Sequence, residues 1–200
     1  MKIPEEIIEG SLKETLKEFG KNELAFLALT TKIELPLRDR WAYVLFNKLS
    51  KSDFIISREW KRTDIAIIKK GSPIVLIEIK ALYTFDAINV EGYYKKQINY
   101  LQADEEKASK LASKDTDIYT VLFVTHPVSS IPYHLEGVAK YHPGINGAFN
   151  KHQNANNIKK VAVERIKAEL KGKNLIAEGI LKAGSAFGIE IEIIYWILRK

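Results

Sequence analysis

A chain of 200 residues, 46% hydrophobic and 28% charged with no cysteine, fits one globular domain and excludes a disulfide scaffold, a thiolate metal site and a disordered chain. No apolar run approaches the roughly 18 residues needed to cross a bilayer, and Met1-Lys2-Ile3-Pro4-Glu5-Glu6 does not open like a signal peptide, so a cytoplasmic protein is expected. The net charge of +6 and pI near 9.2 favour a polyanionic partner, because cations that neutralise phosphates release condensed counterions, although many basic proteins bind no nucleic acid.

In chain order, Ile7, Ile8, Leu12, Leu16 and Phe19 recur at spacings of three and four and predict a helix over 4–19, stopped by Gly20. A second apolar stretch, Leu24 to Leu29, runs into Thr30-Thr31-Lys32-Ile33-Glu34-Leu35. Pro36 suits the first turn of a helix with Trp41, Val44, Leu45 and Leu49 on one face. From Phe54 the period becomes that of strands, over 54–60, 63–68 and 74–80, with Lys69-Lys70-Gly71-Ser72-Pro73 as a turn, and together they predict an antiparallel meander.

Tyr93 to Leu111 reads as a helix with Ile98, Leu101, Ala108 and Leu111 toward the core and Lys95, Lys96, Asp104, Glu105, Glu106 and Lys107 toward water. A buried strand over 118–124 follows, ended by His126-Pro127. Residues 128–157, rich in Pro, Gly, His and Asn, show no period and are expected to be irregular. A helix over 158–170 precedes 174–182 and 188–198, which predict a hairpin around Ala183-Gly184-Ser185. The expectation is an α/β fold in a single domain over 1–200, with a core at about 34–127 and a C-terminal helix and hairpin at about 158–199. Ile189 to Leu198 serves equally well to complete the core or to form an interface.

Glu78 and Lys80 interrupt the apolar run Ile74-Val75-Leu76-Ile77-Glu78-Ile79-Lys80-Ala81. Burying charge costs several kcal/mol per ion unless the charge is paired or coordinated. The triplet Glu-x-Lys recurs at 59–61, 105–107 and 169–171, so the triplet alone is weak; only the copy at 78–80 lies in a β-type run preceded by a strand with its own carboxylate. Residues two apart on a strand share a face, so Glu78 and Lys80 project together. If residue i pairs with 142 − i, as a three-residue loop Lys70-Gly71-Ser72 gives, Asp64 lies opposite Glu78; a two-residue Gly71-Ser72 turn slips the register and parts them. An odd loop or a bulge is therefore predicted. Two carboxylates at one point of a sheet suit a hard dication such as Mg²⁺, which polarises a phosphate oxygen and acidifies a bound water while Lys80 positions that water or steadies developing charge.

Arg62-Thr63-Asp64-Ile65-Ala66-Ile67, the turn, and Val75 to Ala81 resemble the core motif of the PD-(D/E)XK nuclease superfamily, followed by its helix (93–111) and strand (118–124); the likeness spans about Glu34 to Pro127. The resemblance implies a restriction-endonuclease-like core with a mixed central sheet (α-β-β-β-α-β) flanked by helices. It implies Asp64 and Glu78 as Mg²⁺ ligands (Mn²⁺ a substitute), the Ile79 carbonyl as a third, and Lys80 as the catalytic lysine of a DNA endonuclease in restriction, repair or mobile-element defence. Thr63 replaces the motif's proline. Glu34 or Asp39 stands where many members add an acid, Glu34 being preferred because it precedes the helix start. Gln97 matches the glutamine of some exonuclease relatives, but Tyr100 follows it by three residues rather than four.

Plainer readings stand beside these. The trio of charges also suits a cross-strand salt bridge, Glu34 a helix cap, and Gln97 an ordinary helix surface. Lys69, Lys70, Lys95 and Lys96 suit phosphate contacts or simple solvation. Tyr93, Tyr94 and Tyr100 are expected to pack rather than stack on bases, His126 to be a satisfied strand-end histidine, and zinc is not expected. A homodimer would let two sites cut both strands. The alternative function is a catalytically silent, nuclease-like module for nucleic-acid binding or assembly.

Overall fold

The computed structural model describes residues 3–50, 53–89 and 92–200. The N-terminal stripe forms helix α1 (Glu5–Glu14), which tightens into a 3-10 turn over Thr15–Glu18. The apolar stretch after it is helix α2 (Glu23–Thr30), burying Leu24, Ala25, Ala28 and Leu29. Helix α3 (Glu34–Leu49) begins two residues before Pro36, and its Trp41 donates its indole N–H to Ser11 Oγ at 2.7 Å, pinning α3 to α1.

Strands β1 (Phe54–Trp60), β2 (Thr63–Lys69) and β3 (Ser72–Tyr83) form the predicted antiparallel meander. Helix α4 (Tyr93–Ser109) then carries the chain back so that strand β4 (Asp117–Pro127) lies parallel to β3, as a crossover connection requires. Every residue of β4 is buried. The C-terminal strands β5 (Leu175–Ala186) and β6 (Ile189–Arg199) do not stand apart: β6 pairs with β4, and one six-stranded mixed sheet runs β1-β2-β3-β4-β6-β5.

Residues 128–157 correct the expectation of an irregular segment. They contain a 3-10 turn at Tyr133–Leu135 and helix α5 (His142–His152), followed by α6 (Ala155–Leu170). Pro143 occupies the first turn of α5, where its missing N–H costs nothing. Gly144 is required by packing, since a Cβ there would lie 2.7 Å from the Phe85 ring. The C-terminal turn also shifts: the chain reverses at Phe187-Gly188, both with positive φ, while Gly184 (φ +92°) sits where the β5–β6 register slips.

The two faces of the sheet carry separate cores. Odd-numbered residues such as Ile65, Ile77, Ile79, Val121 and Ile193 pack against α1, α2 and α3. Even-numbered Leu82, Leu122, Val124 and Trp196 pack against α4 and α6, with Ala66, Leu76 and Ala108 in a smaller cluster beside them. Glu78 and Lys80 share the parity of Leu76 and Leu82, so the sheet presents them toward α4.

The β2–β3 connection is a two-residue turn, Lys70-Gly71, with Lys69 opposite Ser72. Both turn residues have positive φ, +49° and +79°, as a type I′ hairpin demands. Lysine pays for that conformation whereas asparagine tolerates it. Lys70→Asn is therefore expected to stabilise the fold by about 0.5 kcal/mol and Gly71→Val to destabilise it by about 1–2 kcal/mol, read as opposite shifts of the urea midpoint.

Candidate active site

The register decides whether the acids meet. Near the turn the paired residues sum to 141, but between Ile67 and Ile68 the ladder shifts, Ile74 being the extra residue, and Ile67↔Val75, Ala66↔Leu76 and Ile65↔Ile77 sum to 142. The bulge thus restores the register that an odd loop would have set, and Asp64 continues it onto the face of Glu78. The two carboxyl groups lie close enough for each to bear on the titration of the other.

β2 ends at Thr63 while β3 runs on to Tyr83, leaving alternate N–H groups of β3 without a strand partner on that edge. Carboxylates take them in sequence. Ile79 N–H donates to Asp64 Oδ2 at 2.8 Å, Ala81 N–H to Glu34 Oε2 at 3.1 Å, and Tyr83 N–H to Asp86 Oδ2 at 2.8 Å. A strand residue sends its N–H and C=O to the same edge, so the Ile79 carbonyl emerges on the Asp64 side. Glu34, at the start of α3, is therefore drawn to the site by the backbone it satisfies.

Lys80 is held from α4. Its Nζ lies 2.8 Å from Asp104 Oδ2, and Lys107 takes the other oxygen at 2.6 Å. The helix periodicity predicts Asp104 toward water, and the structure turns it to the sheet. The signal was present: Leu101, Asp104 and Ala108 are spaced by three and four, so an acid occupies a position of the buried stripe. Arg38 is a second residue that the sequence did not single out. It is 6% exposed on the stripe of Trp41 and Leu45, bonds Glu59 at 2.7 Å and Asp39 at 2.9 Å, and lies 3.9 Å from Asp64 Oδ1. Asp39 is committed to Arg38 and Arg58 rather than to Asp64 or Glu78. Glu59, Lys61 and Arg62, just before Asp64, all have positive φ, a conformation costing about 1–2 kcal/mol per residue, and the Arg38–Glu59 bond helps to hold that turn.

A cavity of about 490 Å³ opens beside Lys80, with Glu34 and Leu35 on one side and Gln97, Tyr100 and Asp104 from α4 on the other. Asp64 and Glu78 do not line it; Glu78 lies two residues back along β3 from Lys80. Tyr94 is buried and Tyr93 packs against the same core, as expected, but Tyr100 is 46% exposed in the cavity. Of the proposed nucleic-acid contacts, Gln97 reaches this cavity. Lys96 lies over the Tyr100 ring, 5.6 Å from its centre, whereas Lys95 pairs with Glu169 on α6 at 2.9 Å. Lys69 lies over Phe54, and Lys70 occupies the hairpin tip, six residues or about 20 Å along the strand from Asp64. His126 is 1% exposed and bonded to Thr84, and burial lowers its pKa to about 4. Among the described residues, no three acidic or histidine side chains converge closely enough to hold a metal by themselves.

Burial pushes the Glu78 carboxyl up to about 8, with the Asp64 and Asp104 charges adding to the effect and Lys80 and the Thr63 hydroxyl opposing it. Burial also raises Asp64, against the Ile79 N–H, Lys80 and Arg38, and raises Glu34 against Lys80. Lys80 is lowered by burial, but the Asp104 bond and the Glu34 charge carry it above the ordinary lysine range. Folded Glu78 thus keeps a proton that the unfolded chain releases near the ordinary value of 4.5. This contribution to stability is complete below that value and is lost as pH rises toward 8, at up to ~1.4 kcal/mol per pH unit. Glu78→Gln, neutral throughout, is expected to flatten the decline, measured by urea unfolding at a series of pH values.

Comparison with protein-family models, with curated proteins and with solved structures returns no match to this chain.

Proposed function

We propose that the chain is a Mg²⁺-dependent DNA endonuclease of the PD-(D/E)XK type, with a restriction-endonuclease-like core made of α3, β1 to β3, α4 and β4, serving restriction, repair or mobile-element defence. The observation that carries this reading is the Asp64–Glu78 pair, two desolvated carboxyl groups that the bulged register brings to one face of adjacent strands, with the Lys80 ammonium group on the same face. A simple cross-strand salt bridge accounts for it poorly, because Lys80 is bonded to Asp104 on a helix and Glu78 is 5% exposed.

The donor set fits a hard dication: two carboxyl groups that burial holds toward their protonated forms, with the Ile79 carbonyl on the same edge. Asp64, Glu78 and that carbonyl would hold it, water completing the shell, and it would supply Lewis acidity at a phosphate oxygen. Asp64 is oriented by the Ile79 N–H and by Arg38. Lys80, two residues from Glu78 and open to the cavity, meets the negative charge of the scissile phosphate, and Asp104 keeps it protonated and aimed.

The rival reading is a module that keeps the scaffold without turnover. It draws on the extent to which the site's groups satisfy one another: Lys80 with Asp104, Asp64 with Ile79, Glu34 with Ala81. Nicking of closed circular DNA separates the two. The wild type is expected to nick with Mg²⁺ or Mn²⁺, and Glu78→Ala and Lys80→Ala to lose at least about a hundredfold in rate; a wild type inert with both metals removes the nuclease reading. Mg²⁺ at about a hundred times its dissociation constant should stabilise the wild type by about 2.7 kcal/mol in thermal unfolding. Asp64→Asn, whose amide oxygen still accepts the Ile79 N–H, should abolish that gain. Asp104→Asn should lower the rate by about ten- to a hundredfold, as loss of supporting-shell partners does. It should also move the alkaline limb of the pH–rate profile to lower pH, because the Asp104 charge that helps to hold Lys80 up against burial is then gone.

A further inference from the structure

We propose that the cavity beside Lys80 receives one unpaired nucleotide, its base stacked on Tyr100 and its phosphate among Lys32, Lys80 and Lys107, so that the protein prefers DNA with an unpaired base next to the scissile bond over continuous duplex. The inference rests on the DNA-cleaving reading of the neighbouring carboxylates, and it names the substrate form that this reading leaves open.

The cavity's volume, about 490 Å³, lies inside the range of roughly 300–1,000 Å³ typical of sites that enclose a small ligand. Its walls divide by chemistry. Leu35 at the start of α3 and Tyr100 on α4 are 53% and 46% exposed, large apolar groups left open to solvent in a concavity. Lys32, Lys80 and Lys107 set three ammonium groups against the two carboxylates Glu34 and Asp104. Lys80 and Lys107 share the single Asp104, and Lys32 has no acid within 4 Å among the described residues. Among the described residues, Glu34 and Asp86 act on Lys32, and Asp64 on Lys80, without a direct ion pair to either lysine closer than 4 Å, and of the groups lining the cavity the ammonium groups outnumber the carboxylates by one. Gln97, one turn before Tyr100, adds amide donors and an acceptor to the lining.

A planar apolar surface beside ammonium groups that are not all paired with an acid matches the two halves of a nucleotide. Aromatic rings bind bases through their faces whatever the sequence, and Lys96 over the Tyr100 ring adds a further cation at the rim. Inside a duplex both faces of a base are covered by its neighbours, so a base can reach Tyr100 from a duplex only at the cost of unstacking and unpairing, a cost that an already unpaired base does not bear. Lys80 belongs both to the cavity and to the carboxylate face, which puts the bound nucleotide next to the phosphate that Lys80 meets.

The test is fluorescence anisotropy of the full chain in EDTA, where nothing is cut, with a labelled single-stranded oligonucleotide and with the same strand in a blunt duplex. The single strand should bind more tightly. Tyr100→Ala should weaken single-strand binding by about tenfold while leaving duplex binding nearly unchanged, and Tyr100→Phe, which keeps the ring, should bind as the wild type does. Equal loss on both forms, no loss in Tyr100→Ala, or tighter binding of the duplex overturns the proposal. The two readings fail separately. Metal-dependent nicking without a Tyr100-dependent preference keeps the nuclease and removes the nucleotide pocket; the preference without nicking keeps the pocket and removes the nuclease.

Discussion

One extra residue in β3 decides the chemistry of this sheet. The tight Lys70-Gly71 turn alone would set a register in which Asp64 and Glu78 face opposite sides, and the bulge at Ile74 moves it by one so that they face the same side. The cost is the burial of two acids side by side. It is met by the backbone N–H of Ile79 at Asp64 and by the pull of burial toward the protonated form of Glu78.

The unequal length of β2 and β3 is the second constraint. Because β3 overhangs its neighbour, it exposes main-chain donors at Ile79, Ala81 and Tyr83, and acids from three different elements satisfy them. Asp64, Glu34 and Asp86 thus have a structural purpose whatever the site does. Backbone satisfaction concentrates carboxylates along one edge of one strand, and a function needing negative charge there meets a scaffold that already holds it.

Helices α3 and α4 approach from opposite faces, and each brings one polar interruption of its apolar stripe. Arg38 braces Glu59 and Asp39 behind Asp64, while Asp104 fixes Lys80. The C-terminal half works at a distance. By lying between β4 and β5, strand β6 makes β4 an interior strand, buried along its whole length, against which β3 rests.

Periodicity along the chain determined the strands of the meander and the main helices, and it singled out Asp64, Glu78 and Lys80 as candidates, because those signals are local: alternation, three-and-four spacing, and charge inside an apolar run. It misjudged α5, where Pro143 and two glycines hide a helix that packing against Phe85 requires, and it placed the last turn at Gly184 rather than Phe187-Gly188. Only the tertiary structure decided that β6 inserts beside β4, that Asp104 and Arg38 turn inward, that Glu34 reaches Ala81, and that Tyr100 opens into a cavity. Each of those depends on which distant backbone donor, charge or ring a side chain meets, and such a meeting is set by how the sheet and helices pack, not by any neighbour along the chain.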